Sequence, residues 1–257
     1  MARKEKSEYI IQAVSHALDL LEQFHDEVDE LGVTELSKRL KLHKNNVFRL
    51  LATLESRGYI EQNKATENYR LGLKALELGQ TFIKQMGLLR QAKPILEKMV
   101  SECNETCYVA IFKEGHVVYL DMVETDMTVR VVSRVGSRLP AYCTAAGKVY
   151  LSHMSDDEIN EILPTEDFQV YTDTTIKNRT QLKKELVEVA EQGYAIDNEE
   201  LDLGVHCVAA PIRDYTRRIV GSISISGPNM RLGEERIKKD LVPLVLEASE
   251  ELSTRLG

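Results

Sequence analysis

An α+β fold in two parts is what this sequence predicts, on three observations. Three helical patterns and then two short β-rich runs fill the first 73 residues. From residue 105 onward β-rich runs alternate with helical patterns. Charge, finally, is divided unevenly between these two parts. A chain of 257 residues, 43% apolar and 29% charged, is long enough for two ordinary domains, each with its own core.

The first helix is predicted over residues 9–25, YIIQAVSHALDLLEQFH, with Ile10, Val14, Ala17, Leu18, Leu21 and Phe24 on one stripe. The second, VTELSKRL, takes Thr34 as its N-cap and turns Val33, Leu36 and Leu40 inward. After residues 41–43, Asn45 is the expected N-cap of a third helix. In it Val47, Leu50, Leu51 and Leu54 recur at i, i+3, i+4 and i+7, and Gly58 ends the run. YIEQ and YRLG flank the polar stretch NKATEN, which reads as a hairpin. Three helices, a tight turn between the second and third, and a hairpin follow the order of a winged helix-turn-helix, here spanning residues 1–73.

Residues 74–90, KALELGQTFIKQMGLLR, place Leu76, Ile83 and Met86 on one side and are predicted to form a linker helix. The remainder, 91–257, begins with a helix that carries Pro94 early and ends near Cys103. TCYVAIFKEGHVVYLDMVE is two strands turning at Glu114 and Gly115. Helical patterns return at 144–153 and 179–192. GYAID, HCVAAPIRD and RIVGSISISG are strands, the last two joined by a hairpin at 214–217, and an amphipathic helix covers 233–255.

The net charge of -8 would make the chain a poor ligand for a polyanion if it were spread evenly. It is not. Residues 1–75 hold twelve basic and twelve acidic side chains, so the rest of the chain carries all of the excess. Within residues 33–60, Lys38, Arg39, Lys41, Lys44, Arg49 and Arg57 face only Glu35 and Glu55, a local +4, just after the acidic cluster Asp26, Glu27, Asp29 and Glu30. A surface field is set by charges within about 8–10 Å, so this patch can meet DNA while the acidity stays elsewhere.

Other classes are excluded or left without support. No apolar run is long enough to cross a bilayer or to act as a secretion signal, which places the chain in the cytoplasm and away from membranes. Four cysteines, Cys103, Cys107, Cys143 and Cys207, are too few for a disulfide framework. The sequence holds no nucleophile elbow, phosphate loop, dinucleotide fingerprint or H-E-x-x-H. Cys207 or Cys143 with His153 or His206 as base is the only available nucleophile pairing, and no orienting partner is visible. Asp197, His206 and Cys207 are acceptable zinc ligands, yet His206 and Cys207 are adjacent on a strand and point to opposite faces. The expectation is no enzyme, no metal and no cofactor.

HKNNVFRLLATLESRGYIE, YRLGLKALELG, RLPAYCTAAGKVYLS, and LDLGVHCVAAPIRD followed by VGSISISGP occur in that order. Through these segments the chain resembles the IclR-type bacterial transcriptional regulators over essentially its whole length. The first two are similar to the family's recognition helix, wing and linker. The others are similar to its effector-domain loop and helix and to its C-terminal signature. The resemblance implies a GAF-like C-terminal domain that binds a small metabolite, often an organic, sugar or aromatic acid. It also implies a homodimer or dimer of dimers acting on double-stranded, palindromic operator DNA.

For the DNA end, Asn46, Phe48, Arg49 and Thr53 are the candidates for the groove-facing surface. Asn can pair with adenine, and Phe48 can press on a thymine methyl. Asn45 caps the helix facing the duplex, Lys44 and Arg49 hold phosphates, and Lys64 and Arg70 in the wing reach the neighbouring backbone. Against this stands the plainer reading of a solvated, charge-dotted helix, with Phe48 half-buried.

For the metabolite end, residues 144–148, TAAGK, put small side chains at a helix start where a carboxylate can approach, while Lys148 either contributes or rides the surface. Ser222, Ser224 and Ser226 share one face of their strand. The resemblance implies polar pocket positions at Ala145, Ala146, Asp197, Cys207, Ser224 and Ser226, with Leu139 and Val205 as apolar walls. The plainer alternatives are serines satisfied by backbone, Cys207 as a packed small hydrophobe, and Asp197 as an exposed turn carboxylate. A rival functional reading is a redox sensor using its cysteines, which a Cys207→Ser variant would separate from a metabolite regulator.

Overall fold

The computed structural model describes residues 10–25, 28–85 and 87–256, the side chains at 80 and 82–85 excepted. Asp26, Glu27, Met86 and the side chain of Ile83 therefore lie outside the described residues. The chain divides into two compact units, one ending at Gln85 and the other starting at Met86.

In the first unit, α1 (Gln12–Leu21), α2 (Val33–Leu40) and α3 (Lys44–Ser56) pack around Leu20, Leu36, Val47, Leu51 and Leu54. The expected α1 stripe needs correcting. Ile10, Val14 and Leu18 are more than half exposed, and α1 meets the core through Leu20, with Ala17, Leu21 and Phe24 packed beside it. The helix carries apolar residues on two faces, and sequence period alone does not say which one the core takes.

Both expected caps also differ. Gly32, not Thr34, precedes α2. Leu31 exchanges two backbone hydrogen bonds of 2.9 Å with Tyr69 of the hairpin, which holds the chain extended up to Gly32. A Cβ there would lie 2.8 Å from the Asn68 side-chain oxygen, so a larger residue would displace that side chain. His43, not Asn45, caps α3, its Nδ1 accepting from the Asn45 amide at 3.4 Å. That leaves the Asn45 side chain exposed on the first helical turn.

Strands β1 (Ile60–Gln62) and β2 (Tyr69–Leu71) form the wing, with Glu61 opposite Arg70. Its tip is fastened to the body by Glu30, whose carboxylate accepts from Asn63 (2.6 Å) and Thr66 (2.7 Å). These bonds hold its pKa below the ordinary value. Helix α4 (Leu73–Gln85) ends the unit, with Leu73, Leu76 and Leu78 exposed.

The second unit is three-layered. Its antiparallel sheet has the order β5-β4-β3-β8-β7-β6, from β3 (Thr106–Lys113), β4 (His116–Val123), β5 (Arg138–Pro140), β6 (Ala195–Asn198), β7 (Val205–Arg213) and β8 (Ile219–Pro228). One face is covered by α5 (Gly87–Cys103) and α10 (Val242–Arg255), the latter reached through α9 (Glu234–Arg236) and a π turn. Residues 87–90, expected in the linker helix, belong to α5. Leu88, Leu89, Ala92, Ile95, Leu96 and Met99 form one continuous buried stripe that runs through Pro94. The other face carries α6 (Ala145–Leu151), with α7 (Asp156–Ile162) following it and α8 (Arg179–Gln192) packed against it. No helix among the described residues is long and apolar enough to cross a membrane.

Antiparallel register sets the site. Residues directly opposite share a face, so Asp197 (β6), Cys207 (β7), Ser226 (β8) and Thr106 (β3) form one cross-sheet row. Ala195, Ala209, Ser224 and Tyr108 form the next.

Candidate functional site

The core of the first unit takes Val47, Leu51 and Leu54 of α3, so at 100° per residue the opposite direction belongs to Asn45, Arg49 and Ala52. All three are exposed, as are Lys44, Asn46 and Thr53. Asn46, Arg49 and Thr53 line a groove with Gln12, Ala13 and His16 of α1. Lys44 and Phe48 lie on the other flank. Phe48 is 57% exposed, which fits the half-buried reading and still leaves much of its ring open to solvent. The Thr53 hydroxyl donates to the Arg49 carbonyl (2.8 Å), and Arg70 is paired with Glu61 inside the wing (2.6 Å). Lys64 is exposed at the wing tip. The face is polar, cationic at Arg49 and Lys44, and flat where Ala52 stands, a shape that admits a duplex groove.

In the second unit, Leu139, Asp197, Val205, Cys207 and Ser226 converge on one cavity with Thr144 and with six residues that sequence reasoning missed: Tyr108, Tyr119, Val131, Leu201 and the charged pair Arg134 and Asp202. Tyr108 and Tyr119 meet edge to face, with ring centroids 5.2 Å apart. Ser224 lies one row farther along the strand and does not reach the cavity; its hydroxyl and that of Ser222 are buried without a protein partner. Ala145 and Ala146 are buried in the core on this side of the sheet, also away from the cavity wall. Thr144 caps α6, accepting from the Gly147 amide (3.2 Å). Gly147 is small for a packing reason, since a Cβ there would stand 2.3 Å from the backbone of Ala141.

The exposed-turn reading of Asp197 is overturned: it is buried, and its Oδ1 accepts from the Glu200 amide (2.8 Å). Burial, and then the neighbouring Glu200, push its pKa from 3.8 up to about 8. At neutral pH it is a neutral acid that can donate a hydrogen bond into the cavity. Its linkage has a definite sign. Between the two pKa values the folded chain keeps a proton that the unfolded chain releases, so this group's contribution to stability is full below about pH 4 and declines as pH rises through 8. Asp197→Asn should therefore flatten the fall in melting temperature across that range and melt above the parent at pH 8. An unchanged slope in a pH series of thermal melts refutes the assignment.

Lys148 does not ride the surface. It is fully buried, with Nζ between Glu200 (2.5 Å) and Glu185. Burial opposes its charge, but the two carboxylates outweigh that and hold its pKa above the ordinary value. The histidines considered as catalytic bases are engaged away from the cavity. His206 turns to the opposite face from Cys207 and bonds through Nδ1 to the Leu232 carbonyl (2.6 Å), while His153 pairs with Arg213 (2.7 Å). Burial pushes the thiols of Cys143 and Cys207 up, away from the thiolate that a peroxide sensor needs. Among the described residues no three His, Cys, Asp or Glu side chains are grouped to hold a metal ion.

Comparison with known proteins finds relatives of both units. Residues 13–64 match a family model described as the IclR helix-turn-helix domain, and residues 80–254 one described as the bacterial transcriptional regulator IclR C-terminal domain. The chain is 35% identical over 228 residues to the transcriptional regulator KdgR of Escherichia coli K12, covering 89% of this chain and 86% of that protein. It is 33% identical to XynR of the same organism, covering 89% and 90%. The crystal structure of the Thermotoga maritima IclR superposes with a TM-score of 0.77 at 29% identity, covering 96% of this chain and 99% of that one. These relatives are named as transcriptional regulators, not as enzymes.

Proposed function

The chain belongs to the IclR family of bacterial transcriptional regulators, and from that premise we propose that a small carboxylate bound in its second unit sets its affinity for operator DNA. The reading of the DNA end is carried by one observation: the outward face of α3, with Asn45 and Arg49 at its centre, is exposed, polar and cationic in a chain that is acidic overall. Asn45 and Arg49 face base edges, Asn46, Phe48 and Thr53 flank them, and Lys44 holds a phosphate. Lys64 and, once released from Glu61, Arg70 contact the neighbouring backbone from the wing. A homodimer, or a dimer of dimers, sets two such helices about one DNA turn apart on a palindrome.

The effector reading is supported by the convergence of Asp197, Cys207 and Ser226 with Arg134 between apolar walls. Segment 73–103, which closes one unit with α4 and opens the next with α5, carries the change of ligand occupancy to the DNA-binding unit. A ligand acts only through its differential affinity for the states that bind operator well or poorly, and the coupling is reciprocal.

A thermal-shift screen of pyruvate, gluconate and 4-hydroxybenzoate selects the working ligand. Calorimetry with and without an operator fragment then measures the coupling. The expected difference in ligand affinity is about 5- to 150-fold, matched by the same factor in operator affinity when ligand is added. Equal ligand affinity in both titrations rejects the coupling.

A further inference from the structure

We propose that Asp202 is a built-in stand-in for the ligand: its carboxylate occupies Arg134 at the mouth of the cavity, and an incoming carboxylate takes its place. The inference rests on the effector reading of this cavity and names the residue that selects an anion there.

Arg134 is the one cationic side chain among the described residues that line the cavity. The remaining polar wall does not favour an anion by itself. Cys207 is a thiol; Ser226, Thr144, Tyr108 and Tyr119 offer uncharged hydroxyls; and Asp197 is at best a neutral acid. A bound carboxylate in so enclosed a space needs a charge partner, and Arg134 supplies it.

That partner is already engaged. Arg134 Nη2 is ion-paired with Asp202 Oδ2 across the mouth. With the pair closed, the space that water centres can occupy is about 20 Å³, about one water, so an organic acid needs the walls to give. A carboxylate enters only if part of this wall moves, and the Arg134–Asp202 pair is the part whose charge an incoming acid can replace.

The segments bearing the two residues are built to allow that. Asp202 stands on the turn between β6 and β7. The turn's backbone is fastened by the Val205 amide on the Asp202 carbonyl (3.3 Å) and the Asn229 amide on the Gly204 carbonyl (2.7 Å), so the Asp202 side chain is the part that can swing. Arg134 stands on the irregular stretch between β4 and β5. That stretch is fastened on either side of it: Arg231 donates to the Val129 carbonyl (2.8 Å), and the Gly136 amide donates to the Tyr119 carbonyl (2.8 Å). Between these points Tyr108 makes a single long bond to the Val132 carbonyl (3.3 Å). The backbone is held at Arg134 too, whose carbonyl accepts from the Ser137 amide (2.9 Å), so it is the Arg134 side chain that the ion pair fixes.

Exchanging one carboxylate for another at Arg134 keeps its charge satisfied while releasing the Asp202 side chain, which ties its turn to that arginine. That turn continues into Glu200, which bonds Lys148 of α6, so the exchange has a direct route into the packed interior of the unit.

The test is calorimetric titration of the full-length protein and its variants with acetate, pyruvate and 4-hydroxybenzoate at up to millimolar concentration. Acetamide serves as the uncharged control. Asp202→Asn removes the competitor and should tighten binding of at least one carboxylate by roughly ten- to a hundredfold, the size of a charge-assisted hydrogen bond. Arg134→Gln should lose binding by at least as much, and Arg134→Lys should recover part of it. Arg130→Gln, on the same stretch but paired with Glu124 outside the cavity, should titrate like the parent. Acetamide should bind none of them.

Carboxylate affinity that is the same in the parent, Asp202→Asn and Arg134→Gln overturns the proposal. If that carboxylate still releases operator, the effector reading survives and only the exchange at Arg134 is lost. If Asp202→Asn binds none of the three acids, the proposal is overturned together with the assignment of a carboxylate to this cavity.

Discussion

Replacing Lys148 by alanine should destabilise the second unit by about 3–5 kcal/mol and lower its melting temperature by roughly 10 °C. Lys148 is fully buried, and its ammonium is the counter-charge for Glu200, itself almost fully buried, and for the half-exposed Glu185. Truncation strands Glu200 in a low-dielectric interior with one of its oxygens, Oε2, already lacking a hydrogen-bond partner. The penalty comes from that stranded carboxylate, not from the loss of attraction as such.

Two further measurements separate this account from a simple packing defect. A Lys148→Met, Glu200→Gln double variant removes both charges and keeps most of the volume, so it should recover most of the loss. The defect should also shrink in acid. Burial already raises the pKa of Glu200 despite Lys148, and without the lysine it rises further. A carboxyl whose folded pKa exceeds its unfolded one lends stability at low pH and withdraws it as pH climbs through the folded value. A Lys148→Ala deficit that is independent of pH, and not repaired in the double variant, contradicts the buried-charge account.

The sequence patterns that match the structure are those in which one local rule decides. The wing was legible because YIEQ and YRLG are short β runs around an unmistakable polar turn, and Glu114 with Gly115 marked the β3–β4 turn for the same reason. The serine face of β8 follows from strict alternation. Features decided by several partners were not legible. Apolar residues on two sides of α1 leave its core face undetermined in the sequence, and only the bundle shows Leu20 inside. Gly32 precedes α2 and His43 displaces Asn45 as cap because backbone placed by the hairpin and the preceding turn fixes where each helix can start.

Long-range electrostatics were the least visible. Arg134 and Asp202 are 68 residues apart, and neither sits on a regular element. Lys148 reads as a surface lysine because nothing local indicates that Glu185 and Glu200 converge on it. Ala145 and Ala146 show the opposite error. Small residues at a helix start suggest an open approach, whereas they are small because α6 packs tightly on the sheet.

Operator binding should weaken by about a thousandfold when monovalent salt is raised from about 50 to about 200 mM, as expected for roughly six phosphates neutralised per dimer. The magnitude is a consequence of where the charge sits. Had the net -8 surrounded α3, association would be repelled at low salt and the dependence would be shallow or reversed. With Lys44 and Arg49 on the exposed face of α3 and the acidic excess beyond residue 75, counterion release from the DNA dominates instead. Substitutions should then divide into two kinds. Lys44→Ala leaves a phosphate without its cation and should reduce the steepness of the log–log salt plot by about one for each phosphate no longer neutralised, weakening all sequences alike. Asn45→Ala should leave that steepness intact while relaxing preference at one base pair of each half-site by about 1–3 kcal/mol. Gel-shift or anisotropy titrations over a salt series, run with the operator and with single-base variants, read both quantities at once. A salt plot that Lys44→Ala leaves unchanged, or an Asn45→Ala variant with the parent's base preference, would move the duplex off this face of α3 and leave the local positive charge without a role.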